Sequence, residues 1–380
     1  MEWKECQIQD VCRLINGRAY SNDEMLEHGK YKIVRVGNLS GGNSTWFYSD
    51  LELPEDKYCH NGDLLFAWAC TFGPHIWKED NTIFHYHIWK IVEDKDVVDR
   101  RFFYYYLKYA TGGFLGALNG SVMVHITKSS MEKMNIRIPK NLEDQRRIAS
   151  ILSSLDRKIE LNNKTNADLE EMAQAIFKNW FVDFEPFKDG KFVDSELGMI
   201  PEGWKVGTLG DFCNVFTGKK NTNQAIEKGL YPFFSCAPEP LASNDAIFNG
   251  KAIIIAGNGS YTGRTSFYNG GFDLYQRTYA CTIREQDKEN LMIFFYHMMK
   301  QFFEPTKMGG TRGSSIPYIV MGDITQQKFP YSEDWLIRFS NIANSMMDRK
   351  LRIDHENARL SLLRDTLLPR LMSGEIEVPE

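Results

Sequence analysis

Hydrophobic residues spaced three or four apart predict two long amphipathic helices in this chain. A helix of roughly 33 residues is about 50 Å long, more than a domain needs to cover its own core. The pattern therefore indicates two antiparallel coiled-coil helices that act as a spacer, although each helix folding back on its own domain remains an alternative. The first stripe is Ile148, Ile151, Leu155, Ile159, Asn162, Asn166, Leu169, Ala173, Ile176 and Trp180, and the second is Phe339, Ile342, Met346, Leu351, Ala358, Leu363, Leu367 and Leu371.

Polar residues mark the ends and the register of these helices. Leu142-Glu143-Asp144 places acidic side chains at the positive end of the first helix, and the second ends near Ser373-Gly374. Asn162 and Asn166 interrupt the apolar stripe. Polar residues in a seam specify pairing register instead of adding stability.

The segments before each long helix have the pattern of mixed α/β domains. Residues 32–36, 64–68, 82–91 and 252–256 are rich in Val, Ile, Phe and Trp, which predicts strands. Helices are predicted at about 101–109 and 291–302. The expected fold class is α+β, with two such domains joined by the two long helices and related by a pseudo-twofold repeat.

The two halves of the chain match each other in sequence, which indicates an internal duplication. The spacing between matched positions shortens along the repeat, so loops differ in length while the framework is shared. Frameworks hold cores and loops carry specificity, so two like scaffolds should present two unlike surfaces. From the repeat alone, a duplicated structural or enzymatic domain is an alternative. The matches include Cys12 with Cys213, Asn61-Gly62 with Asn249-Gly250, Phe102-Phe103-Tyr104 with Phe294-Phe295-Tyr296, and Asp156-Arg157-Lys158 with Asp348-Arg349-Lys350.

These observations give a layout of five segments. We expect a first domain at 1–141, a long helix at 142–184, a turn-rich hinge at 185–203, a second domain at 204–333, and a long helix with a tail at 334–380.

Composition places the chain among globular proteins and bears on its partners. With 43% hydrophobic and 25% charged residues and no apolar run of membrane-spanning length, we expect a cytoplasmic location. The 7 cysteines are scattered singly, which argues against disulfides and zinc ribbons. The net charge of -5 counts against nucleic-acid binding. We therefore predict that the isolated chain binds DNA poorly and that a partner supplies part of the backbone contacts.

Three segments carry a resemblance to a known family. They are AQAIFKNWFVDF at 173–184, DSELGMIPEGW at 194–204 and LRDTLLPRLMSGEI at 363–376. In these segments, and over its whole length, the chain resembles the specificity subunits of type I restriction-modification systems. The run from Gly250 to Gly263 is also similar to the family, whereas residues 63–73 depart from it.

The resemblance implies a DNA-recognition subunit that performs no chemistry and needs no cofactor. Each domain would read one half of a bipartite target on double-stranded DNA, and the helices would fix the gap. Methyltransferase subunits, two per specificity subunit, and restriction subunits would supply methylation and cleavage, as a defence against foreign DNA.

Polar and aromatic residues on loops near strand ends are the candidate DNA contacts, because base edges and phosphates need donors, acceptors and cations. In the first domain they are Arg18, Tyr20, Arg35, Asn38 and Ser121. In the second they are Lys219, Lys220, Asn258, Ser260, Tyr261, Arg264, Arg277, Thr311, Arg312 and Ser314.

Other chemical interpretations fit the sequence less well. Arg264 stands where a phosphate-binding loop needs lysine, and His85 and His87 have no further metal ligand nearby. The acidic runs have the pattern of solvated loops instead of nuclease carboxylates. A coiled-coil scaffold with duplicated protein- or ligand-binding domains remains an alternative function.

Overall fold

The computed structural model describes residues 1–39, 44–69, 72–117, 126–303 and 317–378, with the side chains at 113–117 excepted. Contacts divide the chain into two compact units. Unit 1 is Met1–Leu161 with Glu356–Glu380, and unit 2 is Asn162–His355.

Unit 1 contains ten of the described strands and the helices that cover them. The strands are β1 Trp3–Gln7, β2 Cys12–Asn16, β3 Tyr31–Val34, β4 Phe47–Ser49, β5 Tyr58–Cys59, β6 Leu64–Ala67, β7 Gly73–Ile76, β8 Thr82–Phe84, β9 Ile88–Glu93 and β10 Asn135–Pro139. The helices are α1 Val36–Leu39, α2 Arg100–Ala117, α3 Lys128–Glu132 and α4 Leu142–Phe181, of which α4 continues into unit 2.

Unit 2 repeats this order after a short hairpin. Its strands are β11 Phe192–Ser195, β12 Gly198–Pro201, β13 Lys205–Thr208, β14 Cys213–Thr217, β15 Tyr231–Phe234, β16 Leu241–Ser243, β17 Phe248–Ala256, β18 Thr265–Leu274, β19 Thr278–Ile283 and β20 Lys328–Tyr331. Its helices are α5 Leu209–Phe212, α6 Met292–Phe302, α7 Met321–Thr325 and α8 Glu333–Ser373, of which α8 returns to unit 1.

The duplicated sequence produces duplicated strand pairing. β2 pairs with β9 in the same register as β14 with β19, so that Cys12 and Cys213 occupy equivalent places. β3 lies parallel to β8 as β15 does to β18, and β1 pairs with β10 as β13 does with β20. The prediction of two mixed helix and sheet domains is confirmed.

The main sheet is continuous in unit 2 and divided in unit 1. Unit 2 has one sheet in the order β14-β19-β17-β18-β15-β16, whereas unit 1 has two sheets, β2-β9-β6-β7 and β4-β3-β8-β5. Gly250 and Gly270 face each other in the long β17–β18 ladder with φ of 143° and 141°, values that L side chains rarely adopt. In unit 1 the chain turns at Gly62 and Asn81 instead, which separates β5 from β6 and β7 from β8.

Both long helices form, with 40 residues in α4 and 41 in α8. Asn141 caps the start of α4, where its Oδ1 accepts from the Glu143 amide at 2.9 Å. Gly374, with φ 79°, ends α8 in the left-handed conformation that glycine favours. At 1.5 Å per residue, each helix is about 60 Å long.

The two helices are antiparallel neighbours within each unit. In unit 1 Arg364 of α8 donates to Asp156 of α4 at 2.8 Å. In unit 2 Asn166 of α4 donates to Asp354 of α8 at 2.6 Å. The predicted seam asparagines are buried, with Asn162 4% and Asn166 8% exposed. The alternative in which each helix serves only one domain is therefore wrong, because each contributes to both units. The second stripe was predicted less well, because Ile342, Leu351 and Leu363 are exposed.

Each unit has its own apolar core between sheet and helices. In unit 1 α2 buries Phe102 and Phe103 against β6 and β9, and Leu371 of α8 joins this core. In unit 2 α6 buries Phe294 and Phe295 with Phe339 of α8. The predicted hinge at 185–203 contains the β11–β12 hairpin, and the predicted strand at 82–91 is two strands separated by the turn His85-Tyr86-His87.

Candidate nucleic-acid interface

The glycine-rich segment after β17 is a fixed loop in unit 2. Gly259 and Gly263 have φ of 84° and 86°, so glycine suits both positions. Thr262 Oγ1 donates to the carbonyls of Gly259 at 2.7 Å and Pro317 at 2.9 Å. These hydrogen bonds fix the loop within unit 2, while Ser260 and Tyr261 are exposed. These two side chains are available to an external partner.

Arg264 and Asn258, at the two ends of this loop, are engaged within unit 2. The Arg264 guanidinium donates to the carbonyl of Pro238 at 3.1 Å and also to that of Ala237. Burial lowers the pKa of Arg264. The Asn258 Oδ1 accepts from the Cys236 thiol at 3.0 Å. Both residues fix the position of the loop through these contacts.

Two adjacent lysines in unit 2 have different surroundings. Lys220 Nζ donates to Asp273 at 2.6 Å and Asp245 at 2.7 Å, and the Asp273 side chain is 5% exposed. Lys219 and Arg277 are exposed. Among these three cations, Lys219 and Arg277 are the better placed for contact with phosphate or a base edge.

In unit 1 Arg18 and Tyr20 form a packed pair. Arg18 makes a bidentate ion pair with Glu24, at 2.9 Å and 2.6 Å, which lowers the pKa of Glu24 to about 2. The guanidinium carbon also lies 5.1 Å from the centre of the Tyr20 ring. Tyr20 is 8% exposed and its hydroxyl has no hydrogen-bond partner among the described residues.

Arg35 and Asn38 line a groove of about 550 Å³ in unit 1. The Arg35 guanidinium carbon lies 5.1 Å from the centre of the Phe47 ring. Asn38 Oδ1 accepts from the Arg35 amide at 3.0 Å, and its Nδ2 donates to the Ser44 carbonyl at 3.3 Å. The groove therefore combines a cation, an amide and an aromatic face.

His85 and His87 complete this groove, although sequence reasoning considered them only as metal ligands. Their ring centres are 5.0 Å apart. Burial lowers the pKa of both imidazoles, that of His85 to about 4, so both are neutral at pH 7. A neutral imidazole offers one donor and one acceptor, the pair of functions that base edges recognise. The signal that would have revealed them is their position between two matched strands.

The remaining candidates, Ser121, Thr311, Arg312 and Ser314, lie outside the described residues. Among those described, no group of three or more His, Cys, Asp or Glu side chains is arranged to hold a metal ion. None of the helices in the described part of the chain has a stretch that is both long and apolar enough for a bilayer.

The duplicated scaffold with unlike polar loops defines a class of protein, a recognition subunit with two reading domains. The model of the type I restriction modification DNA specificity domain matches residues 1–171 and 201–332. The chain therefore belongs to this family and is a type I specificity subunit with two DNA-recognition domains. The scaffold alternative is not supported by these matches.

Individual relatives agree with this assignment. The MjaIX specificity subunit of Methanocaldococcus jannaschii is 28% identical over 309 residues, which cover 75% of this chain and 71% of the relative. The HindI specificity subunit of Haemophilus influenzae is 23% identical, with 99% and 100% covered. The crystal structure of the specificity subunit from M. genitalium is similar in fold, with a TM-score of 0.60, 17% identity, and 98% of this chain and 96% of that chain covered.

Proposed function

We propose that this chain selects a bipartite DNA target for a type I restriction-modification complex, with one half-site read by each domain and a non-specific gap between them. The observation that carries the proposal is the duplication itself. The register of β2 with β9 repeats in β14 with β19, and that of β3 with β8 repeats in β15 with β18, while the side chains on equivalent loops differ in size and charge. A repeated scaffold with unrepeated loops suits the reading of two unlike sequences.

In this proposal the candidate residues divide into two groups. Exposed or groove-lining side chains contact the duplex directly, and side chains already engaged within a unit position the loops. The first group is Arg35, Asn38, Lys219, Ser260, Tyr261 and Arg277. Ser121, Thr311, Arg312 and Ser314 lie outside the described residues and are proposed as contacts from the sequence alone. The second group is Arg18, Tyr20, Lys220, Asn258 and Arg264.

Methylation and cleavage belong to partner subunits in this proposal, with two methyltransferase subunits bound per chain. Large apolar side chains are exposed on both long helices, among them Met172 at 52%, Leu362 at 70% and Leu363 at 47%. Exposed apolar surface on a helix is typical of a protein interface. The net charge of -5 fits the same division, since a partner would supply part of the phosphate contacts.

Footprinting with and without the cognate methyltransferase tests this proposal. We expect two short protected tracts around an unprotected gap with the complex, and much weaker protection with the isolated chain. Sequencing that detects modified bases should then give the same bipartite site in the host genome. Protection of one continuous tract, or of none, would contradict the proposal.

The spacer role has a separate test. We propose to insert one heptad into each long helix at the boundary between the units, after Leu161 and after His355. Seven helical residues add about 10 Å, which corresponds to about three base pairs of duplex. The tolerated gap should lengthen while both half-site sequences persist. Altered half-sites with an unchanged gap would contradict the spacer role.

A further inference from the structure

The turn that precedes the last strand of each main sheet occupies the same place in both units. In unit 1 it is His85-Tyr86-His87, between β8 and β9, and in unit 2 it is Tyr275-Gln276-Arg277, between β18 and β19. The backbone hydrogen bonds correspond one to one: His85 N to Val34 O, Tyr86 N to Arg18 O and Ile88 N to His85 O in unit 1, and Tyr275 N to Phe234 O, Gln276 N to Lys220 O and Thr278 N to Tyr275 O in unit 2.

The residues whose carbonyls accept hydrogen bonds from this turn form ion pairs through their side chains. The carbonyls that accept from the middle amide belong to Arg18 and Lys220. Arg18 is fixed by its ion pair with Glu24, and Lys220 by its ion pairs with Asp273 and Asp245. Each unit thus uses a paired cation to set the backbone of the turn. A rigid backbone with variable side chains is suited to sequence reading.

The side chains on the two turns differ in chemical character. In unit 1 the rings of Tyr86 and His87 are 3.9 Å apart at their centres, and Trp68 lies 4.9 Å from His87. In unit 2 Gln276 and Arg277 are exposed, and Gln276 Nε2 donates to Asn221 at 2.6 Å. One turn therefore presents neutral aromatic rings, and the other presents a cation beside an oriented amide.

Each turn also adjoins the loops that hold other candidate contacts. In unit 1 His85 and His87 line the groove that contains Arg35 and Asn38. In unit 2 the Arg277 carbonyl accepts from the Gly257 amide at 3.0 Å, and a Cβ at Gly257 would clash with that carbonyl. The turn and the glycine-rich loop therefore stay in contact.

We propose that this turn is the specificity-determining element of each reading domain, with residues 85–87 and 275–277 contacting base edges and the neighbouring loops contacting the DNA backbone. The inference rests on the proposed function and adds the residues that distinguish the two half-sites. Arginine pairs bidentately with guanine O6 and N7, so Arg277 reads a guanine in its half-site.

Substitutions in the two turns test the inference in the assembled complex. In one variant the chain carries His85→Tyr, Tyr86→Gln and His87→Arg, and a single Arg277→Gln variant tests unit 2. Matched controls lie at the opposite ends of the same strands, Lys95→Ala beyond β9 and Asp287→Ala beyond β19, both at exposed residues. Each complex is assembled with the methyltransferase, and methylation rates are measured on a library of targets.

We expect each turn variant to change the preferred bases of one half-site only. Discrimination should shift by about 5- to 150-fold at the affected base pair, the range found for single mismatches. The gap, the other half-site and the behaviour of the controls should not change. The Arg277→Gln variant should lose its preference for one G·C pair.

The outcomes separate this inference from the proposed function. Turn variants that assemble and keep both wild-type half-sites overturn the inference and leave the proposed function intact. Equal loss of methylation on every sequence, with assembly retained, overturns it as well, because that result indicates a positioning role. A wild-type complex that methylates no bipartite site overturns both.

Discussion

In both units a partly buried acidic side chain of α4 lies between a cation from α8 and a tyrosine hydroxyl from the helix that covers the sheet. In unit 1 Asp156 accepts from Arg364 at 2.8 Å and from Tyr105 at 2.7 Å, an arrangement that we call the Asp156 cluster. In unit 2 Glu170 accepts from Lys350, Lys300 and Tyr296 at 2.7 to 2.8 Å, the Glu170 cluster.

The comparison shows that the duplication does not extend to these charges. Asp156 matches Asp348 of α8 in sequence, so a faithful repeat would place the acid of unit 2 on α8. Instead α4 supplies the acid in both units and α8 supplies the cation. In these two clusters the acid of α4 is complementary to the cation of α8, whereas Lys158 of α4 pairs with Glu356 of α8 in the opposite sense. Polar contacts between two helices restrict how the helices can pair.

The largest expected difference between the clusters is their response to acid. His297, 1% exposed, adjoins the Glu170 cluster, and Tyr105 stands at the matching position of unit 1. Burial lowers the pKa of His297 to about 4. As the pH falls, the His297 imidazole is therefore protonated in the unfolded chain before it is protonated in the folded chain. The free energy of unfolding should fall by about 3 kcal/mol between pH 6.5 and about pH 4.

The change that tests this is His297→Gln, which keeps a polar partner for Gln174 Oε1, now 2.9 Å from the His297 Nδ1. Urea unfolding between pH 6.5 and pH 4 should show a shallower loss of stability than in the wild type. His355→Gln, at an exposed histidine of α8, is the control and should keep the wild-type slope. Equal slopes in all three proteins would contradict the prediction.

Replacement of the acid should be the next largest effect. Glu170→Gln leaves Lys300 and Lys350 without their counter-charge. We expect the free energy of unfolding at pH 7 to fall by about 2 kcal/mol. This loss is smaller than for a fully buried pair because both lysines are about a third exposed. Urea unfolding measures it, with the exposed neighbour Glu171→Gln as the control.

Glu170→Gln should also remove part of the pH dependence of stability below pH 4.5. Burial opposes ionisation of Glu170, but the hydrogen bonds from Lys300 and Lys350 outweigh it and lower the pKa to about 2. Stability from this group is present above pH 4.5 and is lost as the pH falls toward 2. A Glu170→Gln protein that still shows the full wild-type loss in this window would argue against the cluster.

Asp156→Asn should cost less, about 1 kcal/mol, because Arg364 retains its ion pair with Asp365. Urea unfolding of this variant beside Glu170→Gln compares the two clusters directly. A larger loss for Asp156→Asn than for Glu170→Gln would reverse the comparison.

The smallest effect should come from the solvent-exposed pair between the helices in unit 1. Lys158 lies 3.2 Å from Glu356, and each side chain is 46% exposed. Exposed ion pairs contribute well under about 1 kcal/mol, so Lys158→Ala should leave the urea midpoint nearly unchanged. A loss as large as that of Asp156→Asn would mean that burial does not decide the strength of these contacts.

The sequence alone was sufficient for the elements with strong periodicity. The two stripes predicted α4 and α8 to within a few residues at most ends, and the matched framework residues predicted the duplicated domains. The seam position of Asn166 was also predicted, because helical spacing fixes which residues share a face.

Sequence reasoning could not predict contacts that depend on loop geometry. The main sheet is divided in unit 1, where the chain turns at Gly62, and continuous in unit 2, where Gly250 stays within the β17–β18 ladder. The sequence does not show this difference, because both glycines follow an asparagine. Lys220 and Arg264 were predicted as DNA contacts because they are cations on loops near strand ends, and that prediction stands. The partners that engage them within unit 2 come from distant strands and loops, which the sequence does not reveal. The equivalence of His87 and Arg277 likewise becomes visible only from the backbone hydrogen bonds.

The pairing of β1 with β10 and of β13 with β20 has an evolutionary consequence. Trp3 lies opposite Pro139 and Lys205 opposite Tyr331, so the chain enters and leaves each domain at one place. A segment whose ends meet can be exchanged for another without moving the helix that follows. Under the proposed function, recombination at these two strand pairs would give a cell new target sequences in a single genetic step, without any change in the proposed methyltransferase and restriction partners.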